Sequence, residues 1–259
     1  MSRLKAARRR LLDRVKDARL DARTAKAFTA LRASAAYQAL PAYRILILGI
    51  QSPKRGNSLV GIYDRMTSAK HELVKVSCGV GTLSKPENSN KLLEEAGYAD
   101  FDYVITTDDD ITVPDHFIDD FVAIAALADF DIAQPAHRLI SFWNHHITRR
   151  EAGWARATNF VEVGPLAMFR ANTFSRVFPF PVTRFGWGVD LLWSELASRH
   201  GWKLGVVDAT PIEHLSPAGQ LYNWDAAEAE LAQFLKDQDV KIDFGSVRVI
   251  SHEALGMRL

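Results

Sequence analysis

Three consecutive carboxylates, Asp108-Asp109-Asp110, close an apolar run with β character, Tyr103-Val104-Ile105-Thr106-Thr107. Adjacent charges of one sign repel each other and resist burial, so a fold that holds three together usually supplies a cation. The chain after them, residues 111–115, passes into a helical pattern with Phe117, Ile118, Phe121, Ile124 and Leu127 on its inner side. The acids therefore sit where a strand of an α/β sheet ends, the edge at which such folds place ligands. A plainer reading, in which they decorate a strand–helix loop as solvated caps, stays open at this stage. An EF-hand is excluded, because Val113 stands where that loop requires Gly and Thr112 precedes it.

Four features of the second half could complete a site around the acids. In Phe185-Gly186-Trp187-Gly188-Val189-Asp190 a carboxylate follows a Gly-flanked Trp at a helix start. Glycines admit a ligand close to the backbone, an indole offers a flat face to a sugar ring, and a helix N-terminus favours an ionised Asp190. Such a carboxylate could take the proton of an attacking hydroxyl. His214, just after the apolar stretch Val206-Val207-Asp208, could complete an Asp/Asp/His metal site with Asp108 and Asp110, or serve as a hydrogen-bonded structural residue. Asn144-His145-His146-Ile147-Thr148-Arg149-Arg150 supplies imidazoles and cations suited to phosphate or an acidic acceptor. Glu162 and Gly164 interrupt an otherwise apolar strand, where a charge needs a partner.

The elements that must position these residues follow from the hydrophobic pattern. Residues 44–50 form a continuous apolar strand, followed by the polar loop Gln51-Ser52-Pro53-Lys54-Arg55-Gly56-Asn57. A helix over 58–68, a strand over 72–77 and a helix over 88–96 then lead to the strand that delivers the acids. This alternation predicts a largely parallel sheet with helices on both faces. The first loop has neither the P-loop pattern nor Gly-x-Gly-x-x-Gly. Further strands are expected over 131–134, 159–169 and 204–208, helices over 189–200 and 225–235, and an edge strand over 247–250.

At 259 residues the chain can bury a substantial core, and no apolar stretch approaches the roughly 20 residues that cross a bilayer. The N-terminus lacks the apolar core of a signal peptide, and one cysteine, Cys78, fits a reducing compartment, so a cytoplasmic protein is expected. The net charge of +1 conceals a division, because residues 1–40 carry eleven Lys/Arg against three Asp, a net of +8, and the remainder carries −7. That basic segment has no Gly or Pro, which favours a helix, with Leu4, Leu11, Leu12, Val15 and Leu20 as a thin apolar stripe. It could lie on an anionic membrane surface, making the protein peripheral on the inner face, bind a partner, or extend into solvent. Nucleic acid is disfavoured as a partner, because the segment lacks interleaved aromatics and the body is acidic.

The order of these features resembles the GT-A glycosyltransferases, which use nucleotide-sugar donors. Thr106-Thr107-Asp108-Asp109-Asp110-Ile111 looks like their Asp-x-Asp motif, which holds a divalent cation on the donor diphosphate. Trp187-Gly188-Val189-Asp190 is similar to the acceptor-side motif that carries the base in inverting members, and His214 matches a late metal-ligand histidine. A plant-rich, glycosyltransferase-like family of unknown function is also similar, through Ile132-Ala133-Gln134-Pro135-Ala136, His145-His146-x-Thr148, Phe160-Val161-Glu162, Phe185 to Asp190 and Gly205-Val206-Val207-Asp208. The resemblance spans roughly residues 44–216, and His214 follows Ile212-Glu213 where the plant family has Ile-Val-His-Gln.

The resemblance implies a GT-A-like α/β fold with a mostly parallel sheet, over residues 42–259, preceded by a basic helical arm over 1–41. It implies a metal-dependent, inverting transferase using Mn²⁺ or Mg²⁺ held by Asp108, Asp110 and His214, with Asp190 as base. On the donor side stand Asp109, Gln51, Arg55 and Lys91, with Lys85 and Asn90 nearby. On the acceptor and sugar side stand Trp187, Gly188, Glu162, His145, His146 and Arg149. The implied partners are a nucleotide-diphospho-sugar donor and a glycan or lipid-linked acceptor. Two alternatives remain, a nucleotidyltransferase on a related fold and a non-catalytic carbohydrate-binding protein derived from a transferase.

Overall fold

The computed structural model describes residues 3–56, 58–217 and 223–256. Asn57, expected in the first polar loop, and the side chain of Leu4, expected in the apolar stripe, lie outside the described residues. The basic segment is helical as expected, as α1 (Arg3–Ala33) and α2 (Ala35–Ala39), with the Ser34 hydroxyl capping α2. Then follow β1 (Arg44–Gln51), α3 (Ser58–Arg65), β2 (Glu72–Gly79), α4 (Lys85–Ala96), β3 (Tyr103–Asp108) and the two-residue β4 (Ile111–Thr112). The second half comprises α5 (Phe117–Leu127), β5 (Ile132–His137), β6 (Ala155–Thr158), β7 (Leu166–Arg170), α6 (Phe174–Val177) and α7 (Val189–His200). The chain continues through β8 (Leu204–His214), α8 (Trp224–Asp237) and β9 (Val249–Glu253).

The sheet is mixed, which corrects the expectation of a mostly parallel one. Its order is β2-β1-β3-β7-β5-β8-β6-β9, with β4 paired to β8 off this path. The β1–β2, β1–β3 and β5–β8 pairs are parallel, as the strand–helix alternation implies. Antiparallel β7 inserts between β3 and β5, and β6 runs antiparallel to both β8 and β9. The single strand expected over 159–169 is a second correction. Pairing stops at Thr158 and resumes at Leu166, leaving a connecting segment that holds Glu162, Gly164 and Pro165. Pro165 has no N–H to give a ladder, and the Glu162 carboxylate is held by side chains rather than on a strand face.

Alternation along the central strands builds a core on each side of the sheet. Ile45 and Ile47 pack with Leu59, Ile62, Phe117 and Phe121 from α3 and α5, and with Leu31 from α1. Leu46, Leu48 and Val104 pack on the other face with Leu92 and Leu93 of α4, Trp193 of α7 and Phe234 of α8. Helices thus cover both faces, as expected.

From Asp17 onward α1 is tied to the body by charge and packing. Arg150 is buried, and its Nη1 donates to Asp21 Oδ1 at 2.7 Å and to the Asp17 carbonyl at 3.3 Å. Arg138 Nη1 reaches Asp21 Oδ2 at 2.8 Å, and Arg32 clamps both oxygens of Asp120 on α5 at 3.0 and 2.6 Å. Phe28 meets Trp154 edge-on with ring centroids 5.5 Å apart. A buried guanidinium deprived of its carboxylates is strongly destabilising, so these pairs fasten the helix to the fold. Among the described residues no helix is long and apolar enough to cross a membrane.

Candidate active site

The acids and the late histidine are brought together by backbone register. β4 follows the acids directly and pairs antiparallel with the end of β8, setting Ile111 opposite His214 and Thr112 opposite Glu213. The Leu215 N–H donates to the Asp110 carbonyl at 2.8 Å. His214 Nε2 consequently lies 3.3 Å from Asp110 Oδ2, with the Ser141 hydroxyl accepting from the His214 N–H at 2.6 Å. Burial alone would raise the Asp110 carboxyl, but His214, Arg55 and Ser216 outweigh it and hold it below the usual carboxylate range. Burial lowers His214 in turn, but Asp110 with Asp108 and Glu162 outweighs it, so the imidazole titrates above its ordinary value.

The other two acids face different neighbours. Asp108, at the end of β3, pairs with Lys85, the first residue of α4. A side chain at Gly164 would put its Cβ 3.2 Å from Asp108 Oδ2, so that glycine leaves the carboxylate its space. Asp109 turns back to the β1–α3 loop, accepting from the Ser52 N–H at 2.7 Å and from Gln51 Nε2 at 2.8 Å. Burial raises the Asp109 carboxyl despite these bonds and Arg55. The Gln51 amide also accepts from the Leu59 N–H at 3.0 Å, so it braces the loop within the protein. Arg55 bridges Asp109 at 3.6 Å and Asp110 at 3.1 Å. Lys91 is exposed and faces Glu95 one turn on at 3.8 Å, whereas Asn90 bonds both the N–H and the carbonyl of Phe180. Lys85 is the α4 cation that meets the acids, and the capping box Ser84-Lys85-Pro86-Glu87 is the signal that starts this helix earlier than residue 88.

Behind His214 lies a buried network that sequence reasoning only half found. Glu162 is buried, as are His137 and Thr148. Its Oε1 accepts from Asn144 Nδ2 at 2.8 Å, its Oε2 lies 3.3 Å from His137 Nε2 and 3.2 Å from Thr148 Oγ1, and its N–H donates to Gln134. The charge expected to need partners has them. Burial raises Glu162, but His137, His145 and Asn144 outweigh it and keep the carboxyl low. The His137 ring in turn lies 6.0 Å from that of His214, and its Nδ1 is buried without a partner among the described residues. His137 was missed, although Gln134 and His137 are polar exceptions within a wholly buried strand. A polar residue closing such a strand was the available signal.

Asp190 opens α7, whose bounds match the expected helix, and is 5% exposed. The expectation that the helix start keeps it ionised requires a correction. Burial pushes its carboxyl up to about 7, with Glu162 adding to the rise and the N–H groups of Leu191, Asp190 and Gly188 only partly opposing it. Desolvation outweighs the helix terminus here. Gly188 serves packing: its φ is +87°, and a Cβ there would sit 2.7 Å from Leu231 and 3.0 Å from Phe234 of α8. Gly188→Ala should therefore cost about 2–4 kcal/mol, combining left-handed strain with overpacking, as read by urea denaturation. An unchanged midpoint would show that α8 yields without cost.

The remaining expected residues lie in aromatic contacts. Trp187 meets Trp224 edge-on at 5.0 Å. His145 lies between Phe160 and Phe244, with centroids at 4.7 and 4.9 Å, and burial lowers its pKa. His146 is exposed and packs against Trp143, which also carries the Arg149 guanidinium 5.0 Å from its ring centroid.

No family model matches the chain, and no curated protein matches it in sequence. The likeness to the plant-rich family rests on motif order alone. Among solved structures, A197 from STIV aligns over 67% of this chain and 86% of its own at 14% identity, with a TM-score of 0.42. Residues 1–349 of TarS from S. aureus, solved in complex with UDP-GlcNAc, align over 78% of this chain and 68% of that one at 10% identity, with a TM-score of 0.52. At such identity the likeness to the TarS fragment is one of fold alone, and the fold is a mixed α/β one.

Proposed function

We propose that the protein is an inverting glycosyltransferase that moves a sugar from a nucleotide-diphosphate donor to an acceptor hydroxyl. The observation that supports it most is the meeting of Asp110 and His214 at 3.3 Å beside Asp108 and Asp109 at the sheet edge. That separation suits two neighbouring ligands of one Mn²⁺ or Mg²⁺ ion, which would stand about 3 Å apart. Among the described residues no group of three side chains is already placed to hold a metal. A Mg²⁺-type site needs only one or two carboxylates when substrate phosphates complete it, so Asp110 and His214, with Asp108 adjacent, fit. A bound cation would act there as a Lewis acid toward the leaving diphosphate.

The chain's own residues supply the rest. Arg55 and Lys85 stand among the acids as cations suited to diphosphate oxygens, while Gln51 and Asp109 hold the loop that carries Arg55. Asp190, with a pKa near neutrality, is suited to take the acceptor proton. Trp187, His145, His146 and Arg149 offer aromatic and cationic surface to a glycan or lipid-linked acceptor, and Glu162 fixes the segment that carries the last three. In this reading the enzyme works in the cytoplasm, on the inner face of the membrane.

A metal-free version of the same transfer is favoured by one observation: each of the three acids already meets a cation, Arg55 or Lys85. Thermal protection by UDP-GlcNAc and by other nucleotide sugars, with Mn²⁺ and with EDTA, separates the two. Donor near 100 times its Kd should raise the melting temperature by several degrees. Protection only with Mn²⁺ supports the metal site, equal protection supports Arg55 and Lys85 acting alone, and no protection by any nucleotide sugar would refute donor binding.

A further inference from the structure

The helix α1 gathers its acids on one side, where Arg10 and Arg14 also fall. Asp17, Thr24 and Leu31 are buried against the body, and Asp21 pairs with Arg138 and Arg150. At about 100° per residue these residues share one side of the helix, and Asp13 falls on it as well. Leu11, Leu12 and Val15 fall on the opposite side, within an arc of roughly 100°, and are 61%, 51% and 41% exposed. The exposed Arg8, Arg19, Arg23 and Lys26 lie within or beside the same arc. All three acids of the segment therefore point away from the face that carries the apolar residues and these four cations.

We propose that this outward face of α1 docks the protein on an anionic lipid surface. Cations near such a surface are each attracted by about 1 kcal/mol, and leucine and valine side chains set among them gain by entering the acyl boundary. Exposed apolar residues in the basic arc favour lipid over a purely polar anionic partner. The inward acids, held by Arg138 and Arg150, fix which side faces out. The same two arginines bracket the segment carrying His145, His146 and Arg149, so α1 is tied to both ends of that segment. The inference does not rest on sugar transfer, and its test reads lipid binding alone.

The test is co-sedimentation of the full chain with phosphatidylcholine vesicles containing about one third phosphatidylserine, and with pure phosphatidylcholine. Binding is expected on the anionic vesicles only and should weaken with added salt. The variant Arg8→Gln/Arg19→Gln/Arg23→Gln/Lys26→Gln should bind roughly 10²-fold more weakly or worse, and Leu11→Ser/Val15→Ser about tenfold more weakly. Unchanged melting temperatures would show that both variants fold; of the substituted residues, Arg23 also borders a small cavity with Arg150, Glu151 and Asp208 of the body. Should the quadruple variant fail to fold, Arg8→Gln/Arg19→Gln carries the charge test. Absence of binding by the full chain, equal binding to neutral vesicles, or undiminished binding by the folded charge variants would overturn the proposal. Retention on polyglutamate without vesicle binding would overturn it too, in favour of an acidic protein partner.

Discussion

Asp190→Asn is expected to lower turnover by roughly 10²–10⁴-fold, the usual contribution of a positioned base, with donor affinity unchanged. Asn keeps the shape of the carboxylate but cannot accept the proton. Burial already raises the Asp190 carboxyl to about 7, so wild-type turnover should climb as pH rises through neutrality and the base loses its proton. Glu162 contributes to that elevation as a neighbouring negative charge. Glu162→Gln removes the repulsion, lowers the pKa of Asp190, and should move the acidic limb of the rate profile to lower pH. A variant at position 190 with near wild-type turnover would remove the residue from the mechanism. A limb that stays in place in the Glu162 variant would separate the two groups electrostatically.

Asp110→Ala is expected to abolish Mn²⁺-dependent binding of a nucleoside diphosphate while leaving the protein folded. Asp110 is the acid that meets His214, and its loss leaves one proposed ligand with no adjoining oxygen. The stability cost should be modest, because its other partner, Arg55, keeps contact with Asp109 and has a third of its side chain in solvent. Isothermal calorimetry on wild type and variant, each with Mn²⁺ and with EDTA, measures the effect. Wild-type affinity that is the same in EDTA as in Mn²⁺ would show that no cation bridges protein and diphosphate.

Much of the scaffold was legible because its signals are local. The apolar run of β1, the strand that ends in the acids, and α7 over Val189–His200 follow from periodicity and from the glycines that bound the helix. The place of the acids at a strand end followed as well. The partners of single side chains were less legible. Gln51 and Asn90 were read as facing a donor, yet each is engaged by backbone groups that only the fold brings near. Lys85 was read on the donor side, and the capping box that sets it at the start of α4 is written in four consecutive residues.

By itself the sequence determined the elements of the first half with α7, the alternation that covers both faces of the sheet, and a basic helix ahead of an acidic body, but not the break between β6 and β7. Tertiary structure alone decided the rest. Antiparallel β7 enters between β3 and β5, a choice set by pairing between distant segments that no local period encodes. The β4–β8 register puts His214 against Asp110 across a hundred residues of chain. Asp190 titrates near 7 because desolvation depends on everything packed around a group, whereas its helix-terminal position depends only on its neighbours in sequence. The inward acids of α1 find Arg138 and Arg150 for the same reason: a charge chooses its partner in space, and the sequence records only that the charge is there.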